Sequence, residues 1–137
     1  MIGIGLGLQL AARVSDGLGP VLNSQTDYPS EWVRSSGEWT INATSFVSAG
    51  AGAGDHIRLD MSQFGFVVSD VVRLDFDISA LAAGNMQISF STGATNGGTY
   101  STAGSHTVTG TLTGNTTFYL KSHLFDATLE NVRVRRG

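Results

Sequence analysis

Residues 71–90 constrain this chain more than any other stretch. Val72, Leu74, Phe76 and Ile78 alternate with Arg73, Asp75 and Asp77. Further on, Met86, Ile88 and Phe90 alternate with Gln87 and Ser89. A period of two sends successive side chains to opposite faces of an extended backbone, so both runs read as half-buried strands. Residues 79–85 read as a short connection between them. Two neighbouring strands with one apolar face each need an opposing layer, and the expectation is an all-β antiparallel sandwich.

The remaining segments follow the same rule. Ile57, Leu59 and Met61 alternate with His56, Arg58 and Asp60, while Phe64, Phe66 and Val68 lead into the strand at 71. Trp32, Trp39, Ile41 and Phe46 suggest two short strands around a turn at Ser36 and Gly37, with Trp39 in the core. Residues 48–54 (SAGAGAG) read as a flexible surface loop. Asn96 with Gly97 is a type I′ turn candidate, and Gly114 with Asn115 a two-residue hairpin turn. Between these turns, Val108 and Leu112 alternate with Thr107, Thr109, Thr111 and Thr113, which predicts a threonine-lined outer face. Towards the end, Ala127 and Leu129 are odd-numbered whereas Val132 and Val134 are even. An unbroken strand would put those pairs on opposite faces, so a bulge is expected near Glu130 and Asn131.

The first ten residues differ. In MIGIGLGLQL, Ile2, Ile4, Leu6, Leu8 and Leu10 share one face of an extended segment and Gly3, Gly5 and Gly7 the other. Glycine weakens a strand unless another backbone must approach closely. The segment therefore reads as an arm that docks on a neighbouring subunit or a larger particle, with first strand of the sandwich as the competing reading. Residues 1–20 form this arm and its linker, and residues 21–137 the sandwich domain. The glycine spacing does not fit a dinucleotide loop.

Composition narrows the function classes. The chain has no cysteine, so disulfides and thiolate metal sites are excluded, in keeping with synthesis in a cytosol. A net charge of −3 argues against a general nucleic-acid binder. No apolar run approaches the ~18 residues of a membrane span. Arg133, Arg135 and Arg136 read as a solvated, edge-protecting strand end.

Catalytic signals are weak. Asp75 and Asp77 share a strand face with Cα atoms roughly 6.6 Å apart, a separation that glycosidase carboxylates also use. Alternation alone explains the pair, and a plain strand offers no cleft, so a solvated face is the better reading and no catalytic residue is assigned. His56, His106 and His123 lack metal-ligand spacing and read as surface or strand histidines. Asn42 and Asn115 begin Asn-x-Thr sequons, relevant only to a eukaryotic secretory route. Aromatic platforms for a sugar are Tyr28, Trp32, Trp39, Tyr100 and Tyr119. Of these, Tyr119 should face outward and Tyr100 should lie in a loop, which makes those two the candidate glycan contacts.

The order GEWTIN, LDFDIS, MQISF, GTYSTAGSHTVTGTLTG, TTFYLKS and DATLENVRVRR resembles the jelly-roll, carbohydrate-binding-like (galactose-binding-like) modules of bacteriophage tail and virion proteins. The resemblance spans Trp32 to Arg136, and its specificity lies in the order of the segments. The glycine-alternating start also looks like the short N-termini by which small phage structural proteins anchor to a particle. It implies a non-enzymatic virion protein (capsid decoration, head spike or tail component), made in the host cytoplasm and assembled into the virion. Its partners would be other virion proteins and further copies of itself, a trimer or else a pentamer, with host cell-surface glycan binding as the alternative role. Such jelly rolls sometimes hold structural Ca²⁺, for which Asp75 and Asp77 with Asp60 or Asp126 are the candidates. No loop has EF-hand spacing, and no cofactor is expected.

Overall fold

The computed structural model describes residues 23–24, 31–35, 37–90 and 96–137. The arm with Ile2, Ile4, Leu6, Leu8 and Leu10, its linker, and Tyr28 lie outside the described residues. What is described is all-β: an antiparallel sheet that curls nearly closed into a sandwich of jelly-roll-like form. In chain order the strands are β1 (Asn23–Ser24), β2 (Val33–Arg34), β3 (Trp39–Ile41), β4 (Phe46–Ala51) and β5 (His56–Asp60). They continue with β6 (Val71–Ser89), β7 (Thr99–Tyr100), β8 (Gly104–Thr111) and β9 (Thr117–Arg136).

Two of these strands dominate. β6 has 19 residues and β9 has 20, and they pair from Val72 opposite Arg136 to Ser89 opposite Tyr119. A straight strand of that length would run about 65 Å. A compact chain of this size has a radius of gyration of only about 14 Å. Both strands must therefore bend, and the backbone shows where. On β6, Ala80 and Gly84 have φ of 49° and 71°; on β9, Leu124 has φ of 54°. The register shifts between Ser79 and Asn85, so the two bends coincide. Gly84 packs directly on the Leu124 carbonyl, in space that a Cβ would occupy.

This changes the reading of residues 79–85. They do not reverse the chain into a neighbouring strand: Ile78 lies opposite Leu129 and Met86 opposite Ser122, both on β9. The segment holds small residues that permit a bend, and its one turn-like dipeptide, Gly84 with Asn85, continues the ladder with Asn85 opposite His123 on β9 instead of closing a hairpin.

β9 changes face twice. Phe118 and Leu120 are buried, then Phe125, Ala127 and Leu129, then Val132 and Val134. The second switch is the expected bulge, with Asn131 at φ 53° and two residues of β9 (131 and 132) set against one of β6 (76) between the pairs Asp77–Glu130 and Asp75–Arg133. The first is the corner at Leu124.

Shorter elements complete the layers. β5 and β4 line one edge of β9 in succession, β2 and β3 pair outside them, and β8 and β7 line the far edge of β6. β2 and β3 therefore flank separate partners rather than each other. Residues 48–51 belong to β4 rather than a loop, because Ser48 is fully buried and donates its hydroxyl to the Phe125 carbonyl at 2.6 Å. Asn96 and Gly97 form no type I′ turn, since neither has positive φ. Gly114 (φ 79°) and Asn115 turn the chain from β8 on β6 towards β9 beside β5, without pairing β8 with β9.

Trp32, Trp39, Phe46, Phe90, Phe118 and Phe125 form the aromatic centre of the core. Trp32 meets Phe46 and Phe118 edge-on, with centroids at 5.0 and 5.5 Å. Val67 and Val68 are exposed, so the alternation that begins at Phe64 ends at Phe66.

The corner yields a test. Gly84→Ala combines a left-handed backbone with collision against the Leu124 carbonyl, and should destabilise the fold by about 2–4 kcal/mol. Gly114→Ala, also left-handed but with open space around it, should cost about 1–2 kcal/mol. Urea midpoints at unchanged slope would measure both.

Candidate functional site

Along the first half of β6, even-numbered residues face the core, so Arg73, Asp75 and Asp77 face outward. Thr107 lies opposite Asp75 on β8 and Ser105 opposite Asp77, while Arg135 and Arg133 lie beside Arg73 and Asp75 on β9. Side chains in these cross-strand positions meet. Asp75 accepts the Thr107 hydroxyl at 2.6 Å, forms a 3.0 Å ion pair with Arg73, and has Arg135 at 3.9 Å. Asp77 instead accepts the Asn131 amide at 2.7 Å. The Ser105 hydroxyl, then Asn131, with the Arg133 and His106 charges adding less, hold the Asp77 carboxyl below the usual carboxylate range. The two aspartates thus share a face but turn to different partners, and they do not converge on a common point.

The arginine-rich end is not a strand edge. β9 is an interior strand there, with β6 on one side and β1 on the other. Arg135 is 4% exposed. Arg136 lies over the Phe66 ring at 4.0 Å and pairs with Asp70 at 3.2 Å. The Val67 N–H, then Arg136, keep the Asp70 carboxyl low.

The two candidate tyrosines are not brought together. Tyr100 is in β7 rather than a loop, opposite core-facing Met86. Its ring packs edge-on against Phe76 and His106, and its hydroxyl donates to the Gly97 carbonyl at 2.9 Å. Burial raises its pKa. Tyr119 lies opposite Ser89, three residues on from Met86 and so on the other face of the sheet.

Around Tyr119 the register does assemble a group. Arg58 sits opposite it on β5, and the His56 ring meets it edge-on with centroids at 5.1 Å. Arg58 Nη1 lies 3.2 Å from His56 Nε2, and His56 Nδ1 lies 3.0 Å from the Gly54 carbonyl. Arginine only donates, so this arrangement places the ring lone pair at Nε2 and the hydrogen at Nδ1. Each of the three residues reads as outward-facing in the sequence, but only the pairing of β5 with β9 shows that they touch. His106, by contrast, turns coreward and stacks on Phe76 at 5.3 Å.

Asp60 caps the 3-10 turn Met61–Phe64, accepting from the Ser62 N–H and the Thr116 hydroxyl, both at 2.9 Å. Burial is the largest influence on it and raises its pKa, but the bonds from Ser62 and Thr116 together outweigh that and leave it lowered. Among the described residues, no three His, Asp or Glu side chains group as a metal site would require.

No protein-family model matches this chain, and no curated protein matches it.

A lowered carboxyl pKa adds stability above the unfolded-state value, and that stability is lost as pH falls through the folded-state value. With Asp60, Asp70 and Asp77 all lowered, the melting temperature should fall as pH drops below about 4. Asp60→Ala should cost about 1 kcal/mol at neutral pH. Thermal melts across pH 3–7 should also show a smaller acid-induced loss for this variant.

Proposed function

We propose that this chain is a non-enzymatic structural protein of a bacteriophage virion. It attaches through residues 1–20 and displays the sandwich outward, as a capsid decoration, head spike or tail component, in homo-oligomeric form. The observation that carries the reading is how the outward polar groups are used. The carboxylates best placed for chemistry, Asp75 and Asp77, are tied to Thr107, Arg73 and Asn131 within the sheet. A face knitted this way makes a stiff display surface rather than a reaction centre. The resemblance of the ordered segments to phage jelly-roll modules supplies the biology, and the aliphatic–glycine alternation of the arm supplies the means of attachment. Deleting residues 2–10 should abolish decoration of particles while leaving the melting temperature of the sandwich within a few degrees, roughly the shift expected of 1 kcal/mol or less. Normal decoration by the truncated protein would refute the reading.

A second reading, host-glycan binding, draws on the Tyr119, His56 and Arg58 cluster. Tyr119→Ala should lower affinity for a glycan on the order of tenfold, equivalent to about 1.4 kcal/mol. Tyr100→Ala should lower stability instead, because that ring packs on Phe76 and its hydroxyl is used internally. An array of cell-surface glycans with wild-type protein and both variants separates these outcomes.

A further inference from the structure

Among the described residues, β8 is a sheet edge with none of the usual protection. It pairs with β6 without interruption from Gly104 opposite Ile78 to Thr111 opposite Val71. Its sequence, GSHTVTGT, contains no charge and no proline, and no register shift twists it away. Natural edges are normally blunted by one of these devices, because an open edge is a template for another strand.

The direction of its backbone groups follows from the neighbouring bonds. The Leu112 N–H donates to the Asp70 carbonyl, and on the other side of β6 the Gly137 N–H donates to the Val71 carbonyl. Hydrogen-bonded and non-bonded pairs alternate in an antiparallel ladder. Gly110, Val108, His106 and Gly104 therefore bond β6, whereas the N–H and C=O groups of Ser105, Thr107, Thr109 and Thr111 point away from the sheet. No described residue forms a backbone bond to them.

We infer that this edge pairs with the β8 edge of a second copy about a two-fold axis through Val108. One register satisfies the outward groups of both edges. Thr107 faces Thr109 of the second copy, Ser105 faces its Thr111, and each such pair exchanges two bonds, about eight in all. Threonine meets threonine on the outer face, a favourable cross-strand pair. On the inner face the two half-buried Val108 side chains meet at the axis, and His106 lies opposite Gly110 of the second copy. That position has room only for hydrogen on its own side, since a Cβ at Gly110 would enter the Phe90 ring. Neither edge carries charge, so nothing opposes like meeting like. A single strand seam is smaller than the ~800 Å² per partner of standard interfaces, so it is weak in free solution. It strengthens where copies are held side by side. The inference rests on the edge geometry and stands whether or not the virion reading does.

Disulfide trapping tests it. Non-bonded antiparallel pairs have Cα atoms about 4.5 Å apart, within disulfide range. Val108→Cys should form covalent dimers in oxidised glutathione at least ~10-fold faster than Asn42→Cys, a cysteine on an exposed loop. Adding Thr109→Pro should remove the advantage: the proline takes away an outward N–H that the chain's own sheet does not use. Equal rates for the two cysteine variants would overturn the inference, as would an unchanged rate with the proline. Amide exchange on the unmodified protein needs no variant to fold. Protection of the Thr107 and Thr109 amides should rise with protein concentration. Protection that is absent at all concentrations, or already complete at high dilution because the chain's own N-terminal residues cover the edge, would overturn it.

Discussion

The fold depends on one ladder, the pairing of β6 with β9. These two strands hold the buried residues Val72, Leu74, Phe76, Ile78, Met86 and Ile88 on one side, and Phe118, Leu120, Phe125, Ala127, Leu129, Val132 and Val134 on the other. Every other strand attaches directly to this pair, except β2 and β3, which attach through β5 and β4. A ladder of this length cannot stay flat in so small a protein. Both strands therefore turn at the same level, through Ala80 and Gly84 on one and Leu124 on the other. The bend converts a single sheet into two facing layers, and the aromatic cluster of Trp32, Phe46, Phe90 and Phe118 fills the space between them.

The same ladder fixes the surface. Because β6 and β9 run side by side, the outward residues of one lie against those of the other and of β8. Asp75 meets Thr107, Asp77 meets Asn131, and Ser79 donates to Glu130 at 3.1 Å. Charges that look solvated and independent along the chain become a cross-strand lattice. Such a lattice holds side chains in place more than it adds stability, since partly exposed ion pairs are worth about 1 kcal/mol or less.

Much of the architecture was legible from alternation. The two runs in residues 71–90, the coreward Trp39, the outward threonines of β8 and the bulge at Asn131 all follow from counting faces. The corner was not read as one, although the same count contained it: buried residues pass from even at Leu120 to odd at Phe125, the same signal as the later switch. Length misled as well. Strands of 19 and 20 residues lie far beyond the usual 3–10, so residues 79–85 read as a connection. Tertiary pairing was beyond reach of a one-dimensional pattern. Residues 48–51 look like a flexible loop until β9 lies beside them and Ser48 finds the Phe125 carbonyl. Likewise Tyr100, expected in a loop, and Tyr119, expected outward on a strand, both look available to a ligand until registers opposite Met86 and Ser89 place them on different faces.

If the β6–β9 ladder is the single unit on which the rest is built, its two halves must open together. Native-state amide exchange resolves this directly, because each protected amide reports the free energy of the opening that exposes it. Amides of β9 on either side of the corner, around Leu120 and around Leu129 and Val134, should share one opening free energy equal to that of global unfolding. Two distinct values, with one half exchanging while the other stays closed, would show that the corner is a joint between independent sheets and contradict the account.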